Sequence, residues 1–493
     1  MHEVSHRQRM LVLAICCLSL LIVSLDNTVL NVALPQMRRD LQAPVSGMQW
    51  VIDAYTLVMA SLLMLAGSTG DRIGRRKVFL AGLAVFMAGS LLCSLAPSLD
   101  WLIAFRAVQA VGAAMLNPVA MSIIANTFTD PAQRARAIGV WGGVAGISMA
   151  AGPLVGGVLV DSVGWRSIFW LNLPIGFVAL ALTVKYVPES RAPRPRRTDL
   201  VGQLLIMALL GSLTYGIIEA PEAGLGSALV LGCATVAVTS FVGLLVYEPR
   251  RTEPLIDPRF FRSAPFSGAT LIAISAFAAL SGFLFLTTLY LQDVRGLDPL
   301  HAGLWMLPLA LTTCLIAPLS GRLVGSRGPR LPLVVAGLGM GTSSLLFAAF
   351  AAEEQNWLMF TAYVLFGVGF GMVNSPITNT AVSGMPRSQA GVAAAIAATS
   401  RQTGGTLGVA VIGAMLAAGL AGASSTWSSF DAASYAAAAR PAWWVITGCG
   451  VAVLVLGVLS SGPWARRTAE RTARELEPPP PPAAAEVAVP PQH

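Results

Sequence analysis

The chain has 493 residues, of which 55% are hydrophobic and 11% charged, with a mean hydropathy of +0.69 and a formal net charge of +8. A soluble domain carries about 25% charged residues, so the composition excludes a water-soluble globular protein and points to a polytopic membrane protein. The six cysteines, Cys16, Cys17, Cys93, Cys233, Cys314 and Cys449, fall in apolar stretches without C-x-x-C spacing, which argues against a disulfide framework and a zinc site.

Apolar windows long enough to cross a hydrocarbon core of roughly 30 Å recur from end to end. They predict fourteen helices, at about 10–34, 47–67, 78–97, 101–126, 137–160, 166–187, 200–219, 225–247, 266–292, 300–321, 331–351, 357–380, 390–417 and 441–461. The first follows His6, Arg7 and Arg9 like a signal peptide, but it lacks a small-x-small cleavage site and reads as an uncleaved helix. With the N-terminus in the cytoplasm, 25 of the 32 Lys and Arg residues lie on the cytoplasmic side. Arg38, Arg39, Arg166, Arg295 and Arg440 lie outside, and Arg106 and Arg401 fall within spans. That asymmetry places both termini in the cytoplasm of a bacterial inner membrane. It also assigns the net positive charge to loops that face the lipid bilayer's anionic headgroups, not to nucleic acid. Arg outnumbers Lys thirty to two, a bias that goes with a GC-rich bacterial genome.

Helix 1 contains "LLIVSLDNTVLNVALP" (20–35), in which Asp26 interrupts an apolar run and Asn27, Thr28 and Asn31 follow. Asp53 interrupts helix 2. Both lie roughly 9–14 Å from the outer face at 1.5 Å per residue. An ionised carboxyl at that depth costs about 2.5–3.5 kcal/mol on the most lenient insertion scale. Each must therefore face a wet cavity or a partner, or hold a proton. No His lies within a span apart from His301 at a helix start, which leaves carboxyls as proton carriers that an arriving organic cation can displace. A purely structural use of Asp26, bonding nearby backbone or Asn27, is the competing reading.

The loop "GSTGDRIGRRK" (67–77) joins helices 2 and 3. Gly70 and Gly74 permit its tight turn, Asp71 can cap helix 3 or reach another helix end, and Arg72, Arg75, Arg76 and Lys77 suit lipid phosphates. Helix 4 carries "RAVQAVGAAMLNP" from Arg106. Two environments suit that arginine: a buried carboxylate with Gln109 one turn away, or the outer interface near Trp101. Helix 5, "AGISMAAGPLVGGVL" (145–159), sets Gly146, Gly152, Gly156 and Gly157 around Pro153, the make-up of a bent, closely packed and movable interface.

Two polar stretches, "PESRAPRPRRTD" (188–199) and "EPRRTEPLIDPRFFRSAP" (248–265), divide the helices six, two and six. The resulting domains are an N-terminal bundle (1–187), linkers with helices 7 and 8 (188–262), a C-terminal bundle (263–461) and a tail (462–493). In that tail "ARRTAERTARELE" suits a short surface helix and "PPPPPAAAEVAVPPQH" has too little hydrophobicity to fold. A shift of 254 residues lays "GSTGDRIGRR" over "GRLVGSRGPR" (321–330) and helix 5 over helix 13, as a parallel repeat does. The same shift sets Asp26 on Leu280, Asp53 on Leu307, Asp71 on Gly325 and Arg106 on Phe360. Charge chemistry is therefore expected in the first block. Tyr290, Gln292, Trp305 and Asn374 remain as candidates in the second, together with Arg401, mid-span in "ATSRQTGGTLG". Glu219, Glu222, Glu353 and Glu354 read as solvated loop-edge residues.

Taken together, "LDNTVLNVALP", "GSTGDRIGRR", "RAVQAVGAA" and "GPLVGG", with "WRSIFWLNLPIG" (165–176) and "SRQTGGTLGVA" (400–410), resemble the major facilitator superfamily and its fourteen-helix drug:proton antiporter branch over roughly residues 10–461. The resemblance implies an all-α integral membrane protein of fourteen transmembrane helices. Two six-helix bundles would rock around a central cavity, with helices 7 and 8 inserted between them. It implies that Asp26 and Asp53 couple protons or contact cationic drugs, that Arg106 assists proton transfer, and that Asp71 and Arg72, with Gly74, Arg75, Gly152 and Pro153, serve gating. Asn27, Asn31, Gln109, Tyr290, Gln292, Trp305, Asn374 and Arg401 are the substrate-cavity candidates. Two positions depart from the pattern. Ala110 replaces the usual Gly of the helix 4 motif, and Gly325 replaces the acid of the second loop motif. Helix 13 lacks the acids of some relatives, so multivalent cations are not expected substrates.

The expected activity is proton-coupled export, by a monomer without cofactor, metal or catalytic residues, of amphipathic cationic or neutral compounds. The alternatives are an exporter dedicated to one endogenous metabolite or antibiotic, a non-transporting sensor or scaffold, and a channel. No G-x-x-x-x-G-K-[ST] loop is present to bind ATP.

Overall fold

A computed structural model describes residues 6–192, 199–251, 254–350, 355–383, 385, 389–421 and 432–476. Backbone groups in hydrocarbon have no water to bond, so apolar runs of this length close their hydrogen bonds internally as helices. The described residues contain no strand. The helices are α1 (His6–Asp40), α2 (Val45–Ile73), α3 (Arg75–Ser94), α4 (Leu99–Thr127), α5 (Pro131–Ser162), α6 (Ser167–Trp170), α7 (Asn172–Tyr186), α8 (Leu200–Ala223) and α9 (Ala228–Tyr247). They continue with α10 (Ala264–Leu289), which ends in a π-type turn, Tyr290–Val294, then α11 (Pro299–Arg327), α12 (Arg330–Phe350), α13 (Asn356–Gly371), α14 (Asn374–Val382), α15 (Ala390–Ala421), α16 (Ala432–Ser460) and α17 (Pro463–Leu476).

Helices α6 and α7 form one span and α13 and α14 another, and with the bent α5 the described residues hold fourteen candidate membrane spans. Helix α5 bends by 41° between Arg136–Ser148 and Ala151–Ser162, where Pro153 has no N–H for the carbonyl four residues back. Several helices outrun the apolar windows that predict them. Helix α16 starts at Ala432, nine residues before the window at 441, so Arg440 is an exposed helical residue.

Helices α3 and α4 pack closely where a Cβ on Gly112 would lie 2.3 Å from Phe86 N. In the second half α12 and α16 do the same, with a Cβ on Gly337 falling 2.5 Å from Leu454 N. Small residues let helix backbones approach in lipid, where no hydrophobic force joins them. Helix α9 turns Leu231, Val238, Phe241 and Leu245 outward, as a lipid-facing helix does. Helix α8 packs on α9 and also on α2 and α15.

The tail helix α17 buries Ala465, Ala469, Thr472 and Leu476 on one face, and Thr468 Oγ1 accepts from Ala264 N at 3.0 Å at the start of α10. The proline-rich segment 478–493, residues 193–198 of the first linker, and Glu353 and Glu354 lie outside the described residues.

Candidate functional site

Asp26 is 4% exposed and lies inside the first group of helices. Its Oδ2 accepts from Arg106 Nη1 at 2.6 Å, and its Oδ1 accepts from Gln109 Nε2 at 2.9 Å and Asn172 Nδ2 at 2.7 Å. Arg106 is fully buried, so of the two environments open to it the carboxylate prevails. Its Nη1 also donates to Gln109 Oε1 at 2.8 Å and its Nε to the Val51 carbonyl at 3.3 Å. The guanidinium carbon lies 4.2 Å from the centre of the Tyr55 ring. Ser90 Oγ closes the network, accepting from Asn172 at 3.0 Å and Gln109 at 3.3 Å and donating to the Phe169 carbonyl at 2.9 Å. A pair this well bonded repays desolvation through its extra hydrogen bonds, whereas removing one partner strands the other charge.

Asp53 stands apart. It is 0% exposed, its Oδ1 accepts from Thr56 Oγ1 at 3.4 Å, and its Oδ2 has no partner. Thr56 Oγ1 accepts from Thr406 Oγ1 of α15 at 2.9 Å. Gln49 Nε2, one turn away on α2, donates to the Ala410 carbonyl at 2.9 Å. This acid therefore lies at the seam between α2 and α15, with no cation among its hydrogen-bond partners.

The same seam runs between α5 and α11, and these helices diverge along their length. At the face of the α1–α2 turn, a Cβ on Gly303 would lie 2.2 Å from the Pro153 carbonyl oxygen and one on Gly157 2.8 Å from Leu300 Cα. Deeper, a Cβ on Gly146 would reach only Cys314 Sγ, at 4.0 Å, and beyond it Gly143 and Gly139 have nothing within 4 Å. The α1–α2 face is further closed by Arg38 and Arg39, which pair with Asp293 at 3.3 and 3.4 Å, and by Gln292 Nε2, which donates to the Val32 carbonyl at 2.8 Å. Where the helices begin to part, a narrow cleft lies between Thr28, Asn31, Pro153, Leu280 and Met306. Its walls are apolar apart from a few polar groups, a make-up that suits an amphipathic molecule.

Of the remaining predicted residues, Gly152 and Pro153 lie where α1, α5 and α11 meet, with a Cβ on Gly152 falling 2.0 Å from Thr28 Oγ1. Asn27 accepts from Asn31 Nδ2 at 2.9 Å through its carbonyl. Asp71 Oδ1 accepts from Arg75 Nη2 at 2.8 Å, while Arg72 is exposed. Gly74 has a φ of 129°, open to glycine, and faces the Glu189 carboxyl, which accepts from Arg76 N at 3.1 Å. Tyr290 lines a separate aromatic cavity with Phe347, Tyr435 and Trp443. Trp305 packs on Phe360 at 5.0 Å between ring centres. Asn374 is exposed at the start of α14, and Arg401 Nη2 donates to Thr378 Oγ1 at 2.5 Å. Glu219 and Glu222, read as solvated, accept from Trp50 Nε1 at 3.0 Å and Ser46 Oγ at 3.1 Å.

Sequence reasoning does not single out Asn172, Ser90, Tyr55, Thr56 or Thr406. Asn172 has a signal, a lone amide in "FWLNLP" within an apolar span. The hydroxyl residues have none, since Ser and Thr are common on packed membrane helices.

Fourteen apolar spans and an ion pair sealed among them define a polytopic helical membrane protein whose two sides meet at one face and part at the other. The family model of the Major Facilitator Superfamily matches residues 16–409, and the chain belongs to that superfamily. It is 39% identical over 418 residues to the multidrug resistance protein Stp of Mycobacterium tuberculosis, covering 84% of this chain and 77% of that one. It is 37% identical over 399 residues to the tetracenomycin C resistance and export protein of Streptomyces glaucescens, covering 80% and 74%. Among solved structures it shares its fold with a bacterial homologue of the lysosomal transporter Spinster in an inward-facing, unoccupied conformation. The TM-score there is 0.65 at 19% identity, covering 96% of this chain and 98% of that one.

Proposed function

We propose that the chain is a proton-coupled antiporter that exports amphipathic, cationic or neutral compounds across the bacterial plasma membrane by alternating access. The observation that carries this reading is the contrast between the two buried acids. Asp26 is neutralised by Arg106 at 2.6 Å, and Asp53 is buried without a cation at the seam between α2 and α15. A carboxyl there costs about 2.5–3.5 kcal/mol or more to ionise unpaired, so it holds a proton until water or a cationic substrate reaches it. Each charge moved across 100 mV supplies about 2.3 kcal/mol to drive export.

In this reading residues 1–187 and 263–461 are the two rocking bundles, with helices α8 and α9 inserted. The excess of Lys and Arg supports a cytoplasmic α2–α3 face, with both termini and the wide end of the α5–α11 divergence on that side. The Arg38–Asp293 contacts then close the outer side, and the space beside Gly143 and Gly139 opens inward. A monomer suffices, because both acids and the cleft lie within one chain.

Dedicated export of one antibiotic is the second reading. It is supported by the Streptomyces relative at 37% identity, whose name joins resistance to export of a single compound. Proteoliposomes loaded with a pH-sensitive dye test the proposal. Ethidium, anthracyclines or a neutral polyketide added to the substrate side should release protons from wild type and not from Asp53→Asn. Equal release from both would overturn it, and release by one compound alone selects the dedicated reading.

A further inference from the structure

Helix α8 packs on both α2 and α15, which makes it the third wall of the seam that holds Asp53. Its register against α2 is pinned at both ends. Ser46 bonds Glu222 at 3.1 Å and Trp50 bonds Glu219 at 3.0 Å, while Gln203 Nε2 donates to the Ser61 carbonyl towards the other face. The two helices therefore run antiparallel. From the Ser46 and Glu222 pair, Asp53 lies roughly 10 Å along α2 and Thr214 roughly 12 Å along α8 at 1.5 Å per residue. Thr214 follows Gln203 by eleven residues and Asp53 follows Ser46 by seven, close to three and two whole turns. Thr214 thus lies within about 20° of the Gln203 face of α8 and Asp53 within about 20° of the Ser46 face of α2.

Thr214 is 1% exposed and its hydroxyl has no hydrogen-bond partner. Elsewhere in these helices Thr183, Thr270, Thr287 and Thr313 donate to the carbonyl four residues back. Asp53 Oδ2, at the same depth, is also buried and unpartnered. Buried polar atoms are rarely left unpaired, and Asp53 Oδ2 and Thr214 Oγ1 are two of those that these facing helices leave without a partner, Gln49 Oε1, Tyr55 Oη and Gln203 Oε1 being the others.

We propose that Thr214 is a positioning residue of the Asp53 proton site. Its hydroxyl bonds the Asp53 carboxyl, directly or through one water, during the transport cycle, so the inserted helix takes part in coupling. A hydroxyl donates to an ionised carboxylate and accepts from a protonated one, so one residue serves both forms. Other charged or titratable groups on the helices packed against α2 are engaged elsewhere. Asp26 and Arg106 meet on the Tyr55 side, Arg401 bonds Thr378, Tyr215 packs its ring on Trp50, and Glu219 and Glu222 bond Trp50 and Ser46 at the end of the seam. The basic cluster of α3 sits at the α2–α3 turn.

The inference rests on Asp53 as the proton carrier, and an infrared pH titration of the full chain in lipid nanodiscs separates the two ideas. The band to follow is the carbonyl stretch of the protonated carboxyl that Asp53→Asn removes. Losing a donor to the ionised form favours the protonated form, so in Thr214→Val the midpoint should rise by about one pH unit and the band should move to higher frequency. Thr214→Ser should match wild type. A wild-type midpoint and frequency in Thr214→Val, or equal shifts in Thr214→Ser, would overturn the role of Thr214 and leave Asp53 in place. If Asp53→Asn removes no band, the proton assignment itself falls and the inference with it.

Discussion

The two halves of the molecule share a helical frame and differ in what fills it. Around Arg106 the first half is a polar knot, in which Asp26, Gln109, Asn172 and Ser90 bond one another. At the corresponding level the second half is aromatic. Phe283 lies 4.1 Å from Phe366 and 5.5 Å from Trp443 between ring centres, and Phe347 stacks on Trp443 at 4.5 Å. The repeat that sets Arg106 over Phe360 and Asp26 over Leu280 keeps the packing and drops the charges. In the proposed mechanism the duplicated frame leaves proton chemistry to one half and an apolar wall to the other.

Substitutions in the two halves should separate these roles. The largest effect is expected from Arg106→Ala, which strands the Asp26 carboxylate among apolar helices. Breaking a buried pair costs about 3–5 kcal/mol, read as loss of thermal stability in detergent together with loss of export. Arg106→Lys should recover little, because an ammonium lacks the planar fork that meets Asp26, Gln109 and the Val51 carbonyl together. A smaller loss, about 1–3 kcal/mol, is expected from Phe283→Leu in the aromatic cluster, with the pH dependence of transport unchanged. If Phe283→Leu moved the pH profile, the division of labour would be wrong.

The smallest effect is at Asp298, whose side chain accepts from His301 N at 2.8 Å at the start of α11. That backbone bond holds its carboxyl below the ordinary carboxylate range. A depressed carboxyl contributes stability above its unfolded value, near pH 4, and loses that contribution as the pH falls through the folded value. Asp298→Ala should therefore cost about 1 kcal/mol at neutral pH and less in acid. Urea or thermal melts at pH 7 and pH 3 measure the difference.

Much of the frame is legible in the sequence because lipid imposes one demand on every span: apolar length with internal hydrogen bonding. The bend of α5 is readable at Pro153 for the same reason, since a missing N–H is a local property. Asp26, Asp53 and Arg106 announce themselves by the cost of charge in hydrocarbon. Their different fates do not. Nothing local says that Asn172, 146 residues away, completes the Asp26 site, or that Thr406 of α15 reaches Thr56. Those pairings depend on which faces of distant helices meet. The second-half candidates show the same limit, for Gln292 bonds the Val32 carbonyl at the closed face and Trp305 packs on Phe360.

The central claim is that Asp53 carries the proton and Asp26 holds the frame. Counterflow of radiolabelled substrate, measured beside pH-driven uptake in the same proteoliposomes, tests it most directly. Asp53→Asn should exchange substrate for substrate at close to the wild-type rate with no response to a pH gradient, whereas Asp26→Asn should lose both. Uptake by Asp53→Asn that still follows the pH gradient would contradict the account.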